Sequence, residues 1–159
     1  MFKHILIPTD GSPASSSAIQ QGIVFAQEIG AKVTGIHVLP EFHVFTYQSE
    51  MLEDTREKFA QDSIEHAKKY LLEIEIAARD AGVPCTSFYV LNDQPYEAII
   101  NAAQDSRCDL IVMATHGRKG MKGLLLGSET QKVLTHSPTP VMVYRSADCA
   151  VEQAQVRVS

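Results

Sequence analysis

The stretch Ala114-Thr-His-Gly-Arg-Lys-Gly-Met-Lys-Gly-Leu-Leu-Leu-Gly-Ser128 decides how the chain is arranged. It directly follows the apolar run Leu110-Ile111-Val112-Met113 and leads into a helix expected from Ser128 to about Thr135. Glycines, several bases and a hydroxyl at a helix start describe a loop built to hold an anion. The first N–H groups of a helix have no intrahelical partner and point outward. The helix dipole adds partial positive charge there, which makes phosphate a natural guest. The stretch therefore reads as a nucleotide-binding loop.

Working outward, Phe2 to Ile7 reads as a strand that runs into Pro8-Thr9-Asp10-Gly11-Ser12-Pro13. Ser12 is the expected N-cap and Pro13 the first residue of a helix that stops at Gly30. Val33 to Leu39 is apolar at most positions, as in a parallel sheet covered on both faces. Pro40 to Gln48 is irregular and aromatic, a lid or an interaction surface. A long amphipathic helix is expected from Glu50 to Ala81, then an edge strand from Cys85 to Leu91. A helix through Ile99, Ile100 and Ala103 follows the turn at Asn92 to Pro95. The strand Asp109 to Met113, the glycine loop with its helix, and a last strand from Val141 to Tyr144 complete the pattern. Strands alternating with helices imply an α/β fold: a doubly wound five-stranded parallel sheet, order 3-2-1-4-5, with helices on both faces. Ligands of such sheets bind at the carboxyl ends of the strands where the order reverses, here between the first and fourth strands. Residues 1–145 form one domain, and 146–159 are expected to be a mobile tail.

Bulk composition narrows the function. Acidic residues outnumber basic ones, 19 to 14, so nothing favours broad contact with nucleic acid or an anionic membrane. No apolar run approaches the roughly 20 residues of a membrane span. The amino terminus reads as a strand rather than a signal peptide, and Cys85, Cys108 and Cys149 are widely spaced. Reduced, buried thiols in a cytoplasmic protein are the expectation.

Ile7-Pro8-Thr9-Asp10-Gly11-Ser12, then Ile36-His37-Val38, then Thr115-His116-Gly117 with Gly127-Ser128 resemble the universal stress protein family. Thr139-Pro140-Val141-Met142-Val143-Tyr144-Arg145 resembles its closing strand. The nucleotide-binding branch of that family carries Gly-x2-Gly-x9-Gly-Ser/Thr. Gly117, Gly127 and Ser128 match it, while Ala114 stands in place of the first glycine. With negative φ a methyl there costs little. If it crowds the ligand so that one hydrogen bond to a charged group is lost, about 1.5–3 kcal/mol goes.

The resemblance implies a cytoplasmic stress-response protein that binds ATP or another adenine nucleotide, with or without Mg²⁺. It further implies a homodimer joined through Val141 to Tyr144 and a protein partner of unknown identity. Asp10 is then a contact to ribose or base, with Pro8 and Thr9 shaping the pocket floor; as a turn residue it also reads as a helix cap. Val38 lines the adenine slot or is an ordinary core valine. Met113 and Ala114 flank the base. His116 and Arg118 neutralise phosphate charge, and Gly117, Gly127, Ser128, Glu129 and Thr130 form the phosphate side, Glu129 through its N–H. Ser128 also reads as a plain helix cap.

Two further readings stay open: a nucleotide-free protein acting through protein contacts, and a slow Mg²⁺-dependent ATPase. The chain lacks a Walker A lysine, a nucleophile elbow and paired catalytic carboxylates, so catalysis has weak support.

Overall fold

The computed structural model describes residues 1–41, 50–116 and 126–145. Nine elements alternate: β1 (His4–Pro8), α1 (Pro13–Ile29), β2 (Lys32–Leu39), α2 (Glu50–Ala81), β3 (Cys85–Leu91), α3 (Pro95–Asp105), β4 (Leu110–Ala114), α4 (Ser128–His136) and β5 (Val141–Tyr144). Their limits follow from local chemistry. The Ser12 hydroxyl accepts the Ser15 N–H at 3.1 Å, and Pro13 occupies the first turn of α1, where its missing donor costs nothing. At the far end Gly30 takes φ 68°, and Ala31 N–H turns back to Ala26 O at 2.9 Å. Gly82 ends α2 in the same way, with Val83 N–H on Ala78 O at 2.8 Å.

The strands form one parallel sheet in the order β3-β2-β1-β4-β5, as expected from the sequence. Alternation along each strand sends side chains to two cores. Ile5, Ile7, Val33, Leu110 and Val112 pack against Ile19, Ile23 and Ala26 of α1 and Leu71, Ile74 and Ala78 of α2. On the opposite face Leu6, Ile36, Ile111 and Met113 meet Ile99, Ala102 and Ala103 of α3 and Val133 of α4. Burying an aliphatic side chain of this kind contributes about 1.5–3 kcal/mol. Helices cover both faces of the sheet, and the carboxyl ends of the central strands stay open between them.

β1, β2 and β4 differ by one or two residues from their expected limits, and two of these differences shape the carboxyl end of the sheet. β1 includes Pro8, and β4 runs to Ala114 instead of stopping at Met113. The reason is pairing: Ala114 lies opposite Tyr144, and Thr115 N–H extends the ladder to Tyr144 O at 3.0 Å. The expected lid at Pro40 to Gln48 and the tail from Ser146 lie outside the described residues, apart from Pro40 and Glu41. Cys85 and Cys108 are free thiols, half-buried and buried, and burial pushes both to about 11. Cys149 lies outside the described residues. No helix among the described residues is long and apolar enough to cross a membrane.

The amino-terminal edge of the sheet is closed by Asp109. Its carboxylate accepts Lys3 N–H at 2.8 Å and His4 N–H at 3.0 Å, joining the starts of β1 and β4. Burial raises its pKa, but the bonds from His4 and Lys3 outweigh that, and the net shift is downward from 3.8. With the folded value depressed, the unfolded chain takes up the proton first as pH falls. The stability from this carboxylate is therefore complete above pH 3.8 and disappears as the pH drops towards the folded value. Asp109→Asn is expected to cost about 1–3 kcal/mol in urea unfolding at neutral pH. The gap between wild type and variant should shrink as pH falls below 3.8.

Candidate functional site

The carboxyl ends of β1 and β4 are neighbours, and the chain leaves them to opposite faces of the sheet, β1 into α1 and β4 towards α4. The crevice between them is the topological switch point.

On the β1 side, Thr9 is buried and its N–H bonds Ile36 O at 2.9 Å. Asp10 Oδ1 accepts two bonds, from Ser12 N–H at 2.9 Å and from the Ser15 hydroxyl at 2.7 Å. The carboxylate thus supports the start of α1 from the turn, while Ser12 is the N-cap. Gly11 has φ 76°, and a Cβ there would overlap the Tyr70 ring, so only glycine fits.

On the β2 side, bonding alternates between neighbours. Lys32 N–H and Ile36 O face β1, whereas Val33 N–H and Leu39 O face β3. By that alternation Val38 turns its peptide N–H and C=O towards β1. The β1–β2 pairing ends at Pro8 and Ile36, however, and neither Val38 group has a hydrogen-bond partner among the described residues. Val38's side chain is half-buried against the α3/α4 core. Both sequence readings of Val38 therefore apply to different parts of the residue, its side chain packing and its backbone facing the crevice.

On the β4 side, Met113 is buried in that same core, so only its backbone reaches the crevice. Ala114 is 7% exposed, pairs as a strand residue and does not have positive φ. No glycine-only conformation is required there. Thr115 O accepts Gly127 N–H at 2.7 Å, which draws the amino end of α4 onto the end of β4. Gly127 needs its missing side chain for space: a Cβ would stand 3.0 Å from His116 Cα and 3.2 Å from His116 Cβ. His116 is half-buried, with Nδ1 at 3.1 Å from the Thr115 hydroxyl.

α4 begins with Gly127 as N-cap and has no side-chain cap. Ser128 is thus the first helical residue and exposed, not the cap. The N–H groups of Ser128, Glu129 and Thr130 have no acceptor among the described residues. The Thr130 hydroxyl is buried and donates to Ala114 O at 2.9 Å, which leaves its N–H as its contribution. The Glu129 carboxylate turns away, accepting Tyr96 N–H at 3.0 Å and Lys132 Nζ at 3.2 Å. That contact was not foreseen from sequence. Its signal is Gln94 at the N-cap of α3, a residue that makes no side-chain cap there. Gly117 and Arg118 lie outside the described residues.

The arrangement can do one thing well: present uncapped amides and a helix dipole to an anion beside a main-chain edge that can read a flat polar ring. A depression of about 880 Å³ lies elsewhere, between α1 and α2, but its lining mixes Lys69 with Glu73 and Asp80 around Val24, Leu72 and Ile76. Among the described residues no cluster of three or more His, Cys, Asp or Glu side chains could hold a metal.

The model of the universal stress protein family matches residues 1–145. The chain belongs to the universal stress protein family. A universal stress protein from Thermus aquaticus is 34% identical over 148 residues, covering 91% of this chain and 100% of the relative. Among solved structures, hypothetical protein MJ0577 superposes with a TM-score of 0.78 at 29% identity, covering 92% of this chain and 97% of that one. The curated sequence of MJ0577 is from Methanocaldococcus jannaschii. A universal stress protein solved in complex with cAMP gives a TM-score of 0.65 at 25% identity, covering 90% and 97%.

Gly127→Ala should lose about 1–3 kcal/mol in urea unfolding, because its methyl meets backbone at His116 and not a movable side-chain tip. Ala114→Gly should lose no more than about 1 kcal/mol, the entropic cost of glycine in a strand.

Proposed function

We propose that this universal stress protein binds an adenine nucleotide, ATP first among them, and acts as a regulatory binding module. The observation that carries the reading is the set of unpartnered amides at Ser128, Glu129 and Thr130 beside the unpartnered peptide groups of Val38. Phosphate suits the first set, where dipole and donors act together. An adenine edge suits the second, since its ring acceptor and exocyclic donor match a peptide N–H and C=O, whereas guanine presents the opposite order. The cAMP complex of a relative supports the same ligand class.

In this reading the residues keep distinct tasks. Pro8 and Thr9 form the floor, and Asp10 stands at the ribose end while anchoring α1. Met113 and Ala114 flank the base through backbone, and Gly117, His116 and Arg118 complete the phosphate side with Gly127 and Ser128. A Mg²⁺ ion would arrive with the phosphates rather than on a ready-made carboxylate cluster, and it would neutralise phosphate charge there. Among the described residues no side chain is placed as nucleophile or base, and the module is read as non-hydrolytic; its proposed setting is the cytoplasm.

The homodimer through β5 follows the same logic. Among the described residues β5 pairs with β4 alone, and its four residues, Val141 to Tyr144, are all half-buried. An apolar edge of that kind is protected by pairing with a second copy.

A nucleotide-free protein is the competing reading, and the Ala114 methyl favours it. The strand conformation at Ala114 weakens that objection, because no glycine-only backbone is lost.

Calorimetric titration separates them. ATP should bind the wild type and bind Ala114→Gly at equal or up to about 150-fold higher affinity, depending on how closely the methyl approaches the ligand. Gly127→Glu should abolish binding. Absence of heat for both ATP and AMP, with a folded dimer, would leave the nucleotide-free reading standing.

A further inference from the structure

The β1–β2 ladder stops one bond early, and a side chain stops it. Thr9 N–H reaches Ile36 O at 2.9 Å, and the next bond of a parallel ladder would run from Val38 N–H to Thr9 O. That carbonyl instead accepts from His37 Nδ1 at 2.7 Å. A carbonyl can only accept, so Nδ1 carries the proton. His37 is 8% exposed, and its ring meets the Tyr70 ring edge-on, with centroids 5.2 Å apart and planes at 69°. Tyr70 in turn stacks on His66 and fills the space that a side chain at Gly11 would need. α2 therefore braces the imidazole from one face while Val38 opens towards the crevice.

An apolar residue at position 37 would bury no polar ring and would leave Thr9 O and Val38 N–H to satisfy each other. Spending a buried histidine on one of them, and leaving the other to the crevice, forgoes the main-chain bond that the ladder would otherwise make there. The exchange makes sense if the open edge has a use.

We propose that His37 is a positioning residue that takes the Thr9 carbonyl away from Val38, holds β1 and β2 apart at their carboxyl ends, and thereby sets the base preference of the site. It acts without touching the ligand. The consequence for base preference rests on the adenine-nucleotide reading above, while the wedge itself is a property of the ligand-free chain.

Amide hydrogen exchange of the full chain, read by NMR, tests the wedge without ligand. In wild type Val38 should exchange about 100-fold or more faster than Ile36, whose N–H lies within the paired ladder. His37→Phe keeps a ring against Tyr70 but removes the donor. Val38 should then close onto Thr9, its exchange slowing about tenfold or more, and the preference for ATP over GTP should fall about tenfold or more. Equal protection of Val38 and Ile36 in wild type overturns the proposal, and so does unchanged Val38 exchange or an unchanged ATP:GTP ratio in the variant. If His37→Phe does not fold, the wild-type comparison alone decides. If wild type binds neither nucleotide while Val38 exchanges as stated, the wedge stands and the nucleotide reading fails.

Discussion

Everything at the carboxyl edge of this sheet depends on one hydrogen bond, from Gly127 N–H to Thr115 O at 2.7 Å. It closes the excursion that begins after β4 and sets the amino end of α4 beside the strand it came from. The bond is possible because Gly127 has no side chain to strike His116. Thr130 reinforces it one turn later by donating its hydroxyl to Ala114 O. Two contacts, to the last residue of β4 and to the residue after it, fix both the position and the direction of the helix. Its uncapped amides, and the dipole behind them, then point along the crevice instead of into solvent at large.

The other helices repeat the principle with the opposite result. α1 has its amino end filled by Ser12 and by the Asp10–Ser15 pair, and α3 receives Glu129 from its neighbour. Each has a side-chain acceptor for an N–H of its first turn. Of these three helices only α4 leaves its first turn without side-chain acceptors among the described residues. Glu129 makes the contrast sharper, because a carboxylate in the first turn of α4 would otherwise repel an anion. Its bonds to Tyr96 and Lys132 hold it towards α3, so its charge serves that helix.

Much of this was legible in the sequence, and the residues show why. The caps at Ser12, Gly30 and Gly82, the apolar runs and the strand order follow from local rules, where periodicity and backbone chemistry act within a few residues. The crevice was legible for the same reason, since strand order alone places the ends of β1 and β4 side by side. What the sequence did not disclose depends on partners far along the chain. The direction of the Glu129 carboxylate is fixed by Tyr96, 33 residues away. The role of His37 is set by Thr9, 28 residues earlier in the chain. Thr130 was expected on the phosphate side, but its hydroxyl is engaged by the carbonyl of Ala114, 16 residues away.

In this reading the ligand's principal partners are main-chain amides at the end of β2 and in the first turn of α4. Backbone amide shifts, followed by NMR as ATP is added to the full chain, test it most directly. The account predicts that the largest perturbations fall on Ser128, Glu129, Thr130 and Val38, and that tripolyphosphate alone moves the first three and spares Val38. Perturbations centred on the α1–α2 groove around Val24, Leu72 and Ile76, with α4's first turn unmoved, would contradict it.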